Sequence, residues 1–387
     1  MTAPVPADPF AAAERAELRR TVRRFVADHV ADHLDDWERA GEIPRALHRV
    51  AGAAGLLGVS FPEAVGGGGG DLIDALCLVE ELMLAGASGG LVAGLLTCGI
   101  AVPHLAAAGD AAQVERWVRP TLAGELIGAL AVTEPGGGSD VARLATTAVR
   151  DGDAYVVNGV KTFITSGCRA DFATVAVRTG GAGAPGVSLL VVERHTPGFA
   201  VSRRLEKMGW ACSDTAELAF TDCRVPAANL VGAEGTGFAR LAVNFQEERL
   251  TLAVQACAGA QRALEASVAW CRDRSTFGRP LISRQHVRLT LVEMRRRLEA
   301  ARCYVRDAAV RHLRGEDTVA QVCLAKNTAV EAGQWVVDQA VQLHGGAGYM
   351  RGAEVERQYR DMRILGIGGG ASEVLAQLAA ARLGYTA

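Results

Sequence analysis

No CxxC pair occurs among the nine cysteines, which stand at 77, 98, 168, 212, 223, 257, 271, 303 and 323. An odd number cannot all pair within one chain, so reduced and mostly buried thiols of a cytoplasmic protein are expected rather than a disulfide framework. The opening residues MTAPVPADPF hold no basic patch followed by an apolar run, so no signal peptide is read there. Apolar stretches such as residues 91–105 are rich in Gly and Ala and shorter than a bilayer span. A basic excess is also missing. The formal net charge of −2 argues against general nucleic-acid or membrane-surface binding. No GxGxxG follows a strand pattern, so a Rossmann nucleotide site is not supported. Internal repeats and low-complexity tails are absent too. What is present is a soluble composition, 49% hydrophobic, in a 387-residue chain long enough for two or three domains.

The chain changes texture twice. Residues 10–125 read as helices, with apolar returns at three and four such as Leu18, Val22, Phe25 and Val26. A run of five glycines, 66–70, would lose too much backbone entropy in a helix and reads as a loop. Residues 129–225 carry short β-branched stretches at 154–157, 172–177, 187–192 and 217–220, separated by turn signals such as Asp151-Gly152, Asn158-Gly159 and Pro197-Gly198. A small antiparallel sheet fits them. From Gly237 the pattern is helical again, near 244–272, 283–313, 317–343 and 371–382, lengths that suit an antiparallel bundle.

At the first change of texture lies Ala131-Val-Thr-Glu-Pro-Gly-Gly-Gly-Ser-Asp140. Such a loop exposes backbone N–H groups to a flat or phosphorylated ligand, and read alone it is equally a domain-crossing turn. Six more segments follow a family order around it: Phe61-Pro-Glu-Ala-Val-Gly-Gly; Asn158-Gly-Val-Lys-Thr-Phe-Ile-Thr165; Lys207-Met-Gly-Trp with Ser213-Asp-Thr; Val225-Pro then Asn229-Leu-Val-Gly; Arg274-Ser-Thr-Phe-Gly278; and Gln342-Leu-His-Gly-Gly-Ala-Gly-Tyr349. Together they resemble the acyl-CoA dehydrogenase family over roughly residues 15–385. The resemblance implies a mainly α fold with a β insert. Its parts would be an N-terminal helical domain (1–128), a middle antiparallel β domain (129–231) and a C-terminal four-helix bundle (232–387). It implies an FAD-dependent oxidoreductase of fatty-acid metabolism, a homotetramer (a dimer at least), with an electron-transferring flavoprotein as acceptor.

Site residues carry over by the same resemblance. Val132, Thr133 and the Phe163-Ile164-Thr165 segment would flank the flavin ring, and Ser139 would contact the coenzyme A portion. Arg274 and Phe277 would reach FAD across a subunit interface, and Gln342, Gly345 and Gly346 would hold the neighbouring subunit's adenosine end. Arg forks onto phosphate oxygens and glycines permit close backbone approach, although a solvated surface arginine would suit the surroundings of Arg274 as well.

One departure matters. Many members place a catalytic glutamate near the C-terminus, and here that position is Gly369 within Asp361-Met-Arg-Ile-Leu-Gly-Ile-Gly-Gly-Gly-Ala-Ser-Glu373, with Ala371 replacing a threonine. A minority branch, typified by isovaleryl- and long-chain acyl-CoA dehydrogenases, carries its base on a helix before Arg-Leu. Asn244-Phe-Gln-Glu-Glu-Arg-Leu250 matches that context, so Glu248 is the candidate base and Arg249 and Gly370 are candidate substrate contacts. On a helix Glu248, Leu252 and Gln255 share a face while Glu247 points away. The expected reaction removes the α proton of an acyl thioester with Glu248 and passes a β hydride to flavin N5. The main-chain N–H of Gly369 would steady the developing enolate oxygen. The carrier is coenzyme A or an acyl-carrier protein. Two rivals stay open: an oxidase or monooxygenase on the same fold, and a non-catalytic thioester-binding homologue. No metal site is expected. His29 and His33 have metal-compatible spacing but lie among Asp28, Asp32, Asp35 and Asp36 and read as a solvated face. His344 reads as structural, and the Arg295–Arg297 cluster as surface charge or an oligomer contact.

Overall fold

The computed structural model describes residues 8–385; residues 1–7, which bear on the leader reading, and 386–387 lie outside them. Tertiary contacts group the chain into two compact units, 1–35 with 70–92 and 249–387, and 36–69 with 93–248.

The first unit is helical: α1 (Ala13–His29), α2 (Leu72–Ala85), α3 (Gly237–Asp273, which belongs to this unit from residue 249), α4 (Gln285–Leu313), α5 (Val319–His344), α6 (Glu354–Arg363) and α7 (Ser372–Arg382). Val22, Phe25 and Val26 form the buried stripe of α1, as their spacing predicts. Helix α2 starts where Asp71 accepts from the amides of Ile73 and Asp74 while Asp74 reciprocates, a capping box. Arg15 bonds Asp71 and Asp74, and Arg19 bonds Glu80 and Glu81, so ion pairs line the α1–α2 seam. Helix α5 has a long buried face that includes Val322, Ala325, Ala329, Val330, Val336, Val337 and Ala340. Gly333 is small for a reason: a Cβ there would stand 2.7 Å from the Met362 sulfur of α6. The expected bundle helices all appear, within a few residues at most ends. Helix α6 is additional to the sequence reading.

The second unit centres on a seven-stranded sheet of β1 (Gly128–Ala131), β2 (Thr147–Asp151), β3 (Ala154–Thr165), β4 (Phe172–Arg178), β5 (Val187–Glu193), β6 (Phe199–Arg204) and β7 (Thr215–Pro226). The order is β1-β4-β2-β3-β7-β6, with β5 on β4. Most pairings are antiparallel as expected, but β1 runs parallel to β4, and β2 meets β4 in one parallel bridge. Tyr155, Val157, Val175, Val177, Leu190, Val192, Leu218 and Phe220 share its core. Strand β4 is buried on both faces, because Trp117 packs on Phe172 and Thr174 Oγ donates to Ala101 O at 2.8 Å. A near-continuous apolar run is the sequence form of such a strand. Seven of the nine cysteines are buried, Cys168 is half-buried and Cys303 exposed, and none is in a disulfide. No helix among the described residues is long and apolar enough to cross a membrane.

Candidate functional site

In the sheet unit, the glycine-rich loop leaves the end of β1 and is clamped from below by β3. Lys161 is fully buried, and its Nζ donates to Val132 O at 3.0 Å and to Glu134 Oε1 at 2.7 Å. The Glu134 carboxylate also accepts from the amides of Ala145 and Thr146, at 2.6 and 2.9 Å. Burial alone would raise the Glu134 carboxyl, but these bonds and the Lys161 charge hold it at about 2. Burial draws Lys161 down to about 8 against the pull of Glu134, which leaves it charged at neutral pH. The amide of Thr162 donates to Thr133 O at 2.8 Å, so the Thr133 and Phe163 segments lie side by side.

Pairing between β3 and β7 shifts register between Lys161 and Ile164. Within that interruption Phe163 takes φ +61° and leaves its ring 67% exposed. A bulky residue in the left-handed region is an outlier that surrounding structure must enforce. The turn that follows is held by Asp214, which is buried: its backbone O accepts from the Ser166 amide, its Oδ2 from the Cys168 amide at 2.8 Å, and its Oδ1 from Arg169 Nε at 2.6 Å. The Ser213-Asp-Thr motif thus shapes the turn after Phe163. Val132, Thr133 and Thr165 are half-buried, and Ser139 is exposed.

In the helical unit the second group forms around the loop between α6 and α7. Gly369 (φ +63°) and Gly370 (φ +98°) both adopt backbone conformations suited to glycine. Arg249 Nε donates to Gly369 O at 3.2 Å. Leu252 and Gln255, further along α3, are buried; Glu247 and Glu248 belong to the part of α3 grouped with the sheet unit, where Glu247 is exposed and Glu248 half-buried. The third group gathers the C-terminal ends of α3 and α5, where the rings of Trp270 and His344 stack at 5.1 Å. Beyond α3, Ser275–Thr276 and Arg279–Pro280 pair as a hairpin whose tip residues Phe277 and Gly278 have φ +49° and +74°. Two positive φ values are the mark of a tight primed turn. Phe277 at its tip is 97% exposed, and Arg274, Gln342, Gly345 and Gly346 are exposed as well.

Lys161, Glu134 and Asp214 were unassigned by sequence reasoning, although each lies inside a motif noted there. The available signal was compositional: lysine occurs three times in the chain, at 161, 207 and 326, and two of these are fully buried. Arg169 had no signal of its own.

A clamped glycine loop after β1, an acid-free glycine loop before α7, and a helices–sheet–helices order define a class of protein. Residues 12–125, 129–223 and 235–384 match the acyl-CoA dehydrogenase N-terminal, middle and C-terminal domains respectively. The chain belongs to the acyl-CoA dehydrogenase family. Membership makes it an oxidoreductase acting on the CH–CH bond of an acyl-CoA, with FAD as its cofactor. An acyl-CoA dehydrogenase of Bacillus subtilis is 35% identical over 93% of this chain and 95% of its own. The mitochondrial long-chain specific acyl-CoA dehydrogenase of Rattus norvegicus is 37% identical over 90% of this chain and 81% of its own. Among solved structures, a protein of Mycobacterium smegmatis described as an acyl-CoA dehydrogenase is 61% identical with a TM-score of 0.97, covering 98% of this chain and 100% of the other.

The residues present suit FAD. An outward aromatic ring on a bulged strand offers a stacking face for a flat heterocycle. Cβ atoms built on Gly136, Gly137, Gly345 and Gly346 would meet nothing within 4 Å, so the backbone there is open to a ligand.

Proposed function

We propose that the protein dehydrogenates an acyl-CoA, or a related acyl thioester, at its α and β carbons, with Glu248 as the base that takes the α proton. The observation that carries this reading is local to α3 and the 364–371 loop. That loop offers no carboxylate at its glycine positions, while Arg249, next to Glu248 in α3, donates to Gly369 O. An α proton of a thioester is too weakly acidic for a carboxylate in water. Two changes narrow the gap: desolvation of Glu248 on substrate binding raises its pKa, and the Gly369 N–H stabilises the enolate oxygen as charge develops there. Arg249 and Gly370 complete the substrate contacts, and Ser139 meets the coenzyme A portion. FAD, when bound, supplies the two-electron acceptor for the β hydrogen. Val132, Thr133, Phe163 and Thr165 hold its ring, and Arg274, Phe277, Gln342, Gly345 and Gly346 hold its remainder across a homotetramer interface. We further infer a cytoplasmic protein that passes its electrons to an electron-transferring flavoprotein.

The test is anaerobic mixing of FAD-loaded protein with acyl-CoAs of graded chain length, read as bleaching of the visible flavin band. Wild type bleaches with at least one of them. Glu248→Gln is expected to bind the same acyl-CoA yet bleach at least about a thousandfold more slowly, in line with loss of a positioned base. Bleaching by that variant at the wild-type rate would remove Glu248 from the mechanism.

A further inference from the structure

A buried ammonium lies beneath the loop to which the enolate contact is assigned. Lys326 projects from α5 and is 0% exposed. Its Nζ donates to Gly368 O at 3.0 Å and to Gly370 O at 2.9 Å. Desolvating an ammonium is costly and is tolerated where its donors meet good acceptors. Here the acceptors are two main-chain carbonyls separated by a single residue. The carbonyl between them, that of Gly369, takes its bond from Arg249. Two cationic side chains therefore hold three successive carbonyls. The next residue of α5 extends the grip, since Asn327 Nδ2 donates to Ser372 O at 2.9 Å.

The geometry has a consequence for the amides. No peptide bond among the described residues is cis. In a trans peptide the C=O and the N–H of the same plane point opposite ways. With the Gly368 and Gly370 carbonyls turned to the ammonium, the N–H groups of Gly369 and Ala371 emerge on the face away from Lys326. The left-handed backbone of Gly369 is part of what lets both carbonyls face one side. A carbonyl that accepts from a cation also polarises its own peptide, which strengthens the N–H as a donor.

We propose that Lys326 is a positioning residue for the reaction: it fixes the Gly368–Gly369 peptide plane and polarises it, so that the Gly369 N–H binds the thioester oxygen most strongly when that oxygen carries the enolate charge. The proposal rests on the acyl thioester reading above and assigns a residue to it. A merely structural lysine would support all ligands alike. A polarising lysine favours those that place negative charge on the carbonyl oxygen.

The experiment compares two ligands on FAD-loaded protein, with the acyl chain that wild type bleaches fastest: the 3-oxoacyl-CoA, which binds as an enolate, and the S-alkyl-CoA thioether, which lacks the carbonyl. Lys326→Met is expected to weaken the 3-oxoacyl-CoA on the order of 10–100-fold, below the cost of deleting an oxyanion donor outright, while thioether binding changes less than about threefold. Lys326→Gln, which keeps an amide donor group but not the charge, gives an intermediate loss and carries the same comparison should the Met variant not fold. Equal weakening of both ligands, or none of either, in a folded variant overturns the proposal while wild-type bleaching leaves the dehydrogenase reading standing. Failure of wild type to bleach with any acyl-CoA overturns that reading and this one with it.

Discussion

Lys161 and Glu134 occupy a place where neither charge would be stable alone. Nζ and carboxylate meet at 2.7 Å under the 131–140 loop, and the lysine is fully buried. Removing one partner of a buried pair leaves an uncompensated charge and costs about 3–5 kcal/mol. Glu134→Gln should therefore lower the unfolding free energy by that order, moving the urea midpoint down, and release FAD more readily. The double variant Glu134→Gln/Lys161→Met should recover part of the loss. Chemical denaturation with flavin fluorescence checks both. Recovery would fail if the bonds from Glu134 to the 145 and 146 amides, rather than the charge pair, hold the loop. Phe163 makes a related point at the same scale. Its exposed ring and left-handed backbone lie between the buried, paired Lys161 and the turn that Asp214 holds.

At the scale of the element, the hairpin around residues 275–280 and the helix α3 differ in what supports them. The hairpin is mostly exposed and carries Phe277 at its tip, so its ring contributes little to the fold of one chain. Phe277→Ala should leave the unfolding free energy of a single chain within about 0.5 kcal/mol, yet reduce FAD content and loosen the assembled protein. Light scattering with flavin-to-protein ratio measures both effects. An unchanged ratio and mass would show that Phe277 meets neither FAD nor a second subunit. Helix α3 is the opposite case, a long element whose buried faces are settled by packing. The half-buried state of Glu248, beside an exposed Glu247, follows from where the helix lies and not from any local preference of glutamate.

At the scale of the whole molecule, acid sensitivity falls on two histidines of the sheet unit. Burial, with Arg169 adding to it, lowers His48 to about 4; burial, with Arg240 adding to it, lowers His104 to about 4. Each folded value lies below the unfolded one, so between about pH 6.5 and 4 the unfolded chain binds more protons. Stability is then complete above pH 6.5 and falls as pH drops towards 4, by up to about 3 kcal/mol for each histidine. Glu134 adds a separate loss as pH falls from about 4.5 towards 2, since its folded value lies near 2. Unfolding midpoints of wild type and His48→Gln across this range should show a shallower acid slope in the variant. Parallel slopes would mean that His48 already takes its proton in the folded state.

Much of this was legible in order along the chain. Helices with a 3.6-residue apolar return, the buried strands at 172–177 and 187–192, and the turn glycines are local features, and local sterics and burial set them. The seven segments marked the class by their resemblance to the family, in the family's order along the chain. Strands β1, β2 and β6 escaped because one is only four residues long and the other two are largely exposed, so no alternation marks them. The parallel β1–β4 pairing and the hydrogen-bond partners of Lys161, Asp214 and Lys326 belong to tertiary structure alone. A buried charge is tolerable only where distant backbone supplies its partners, and Lys326 finds its own 42 and 44 residues away. No spacing rule along the chain encodes that meeting.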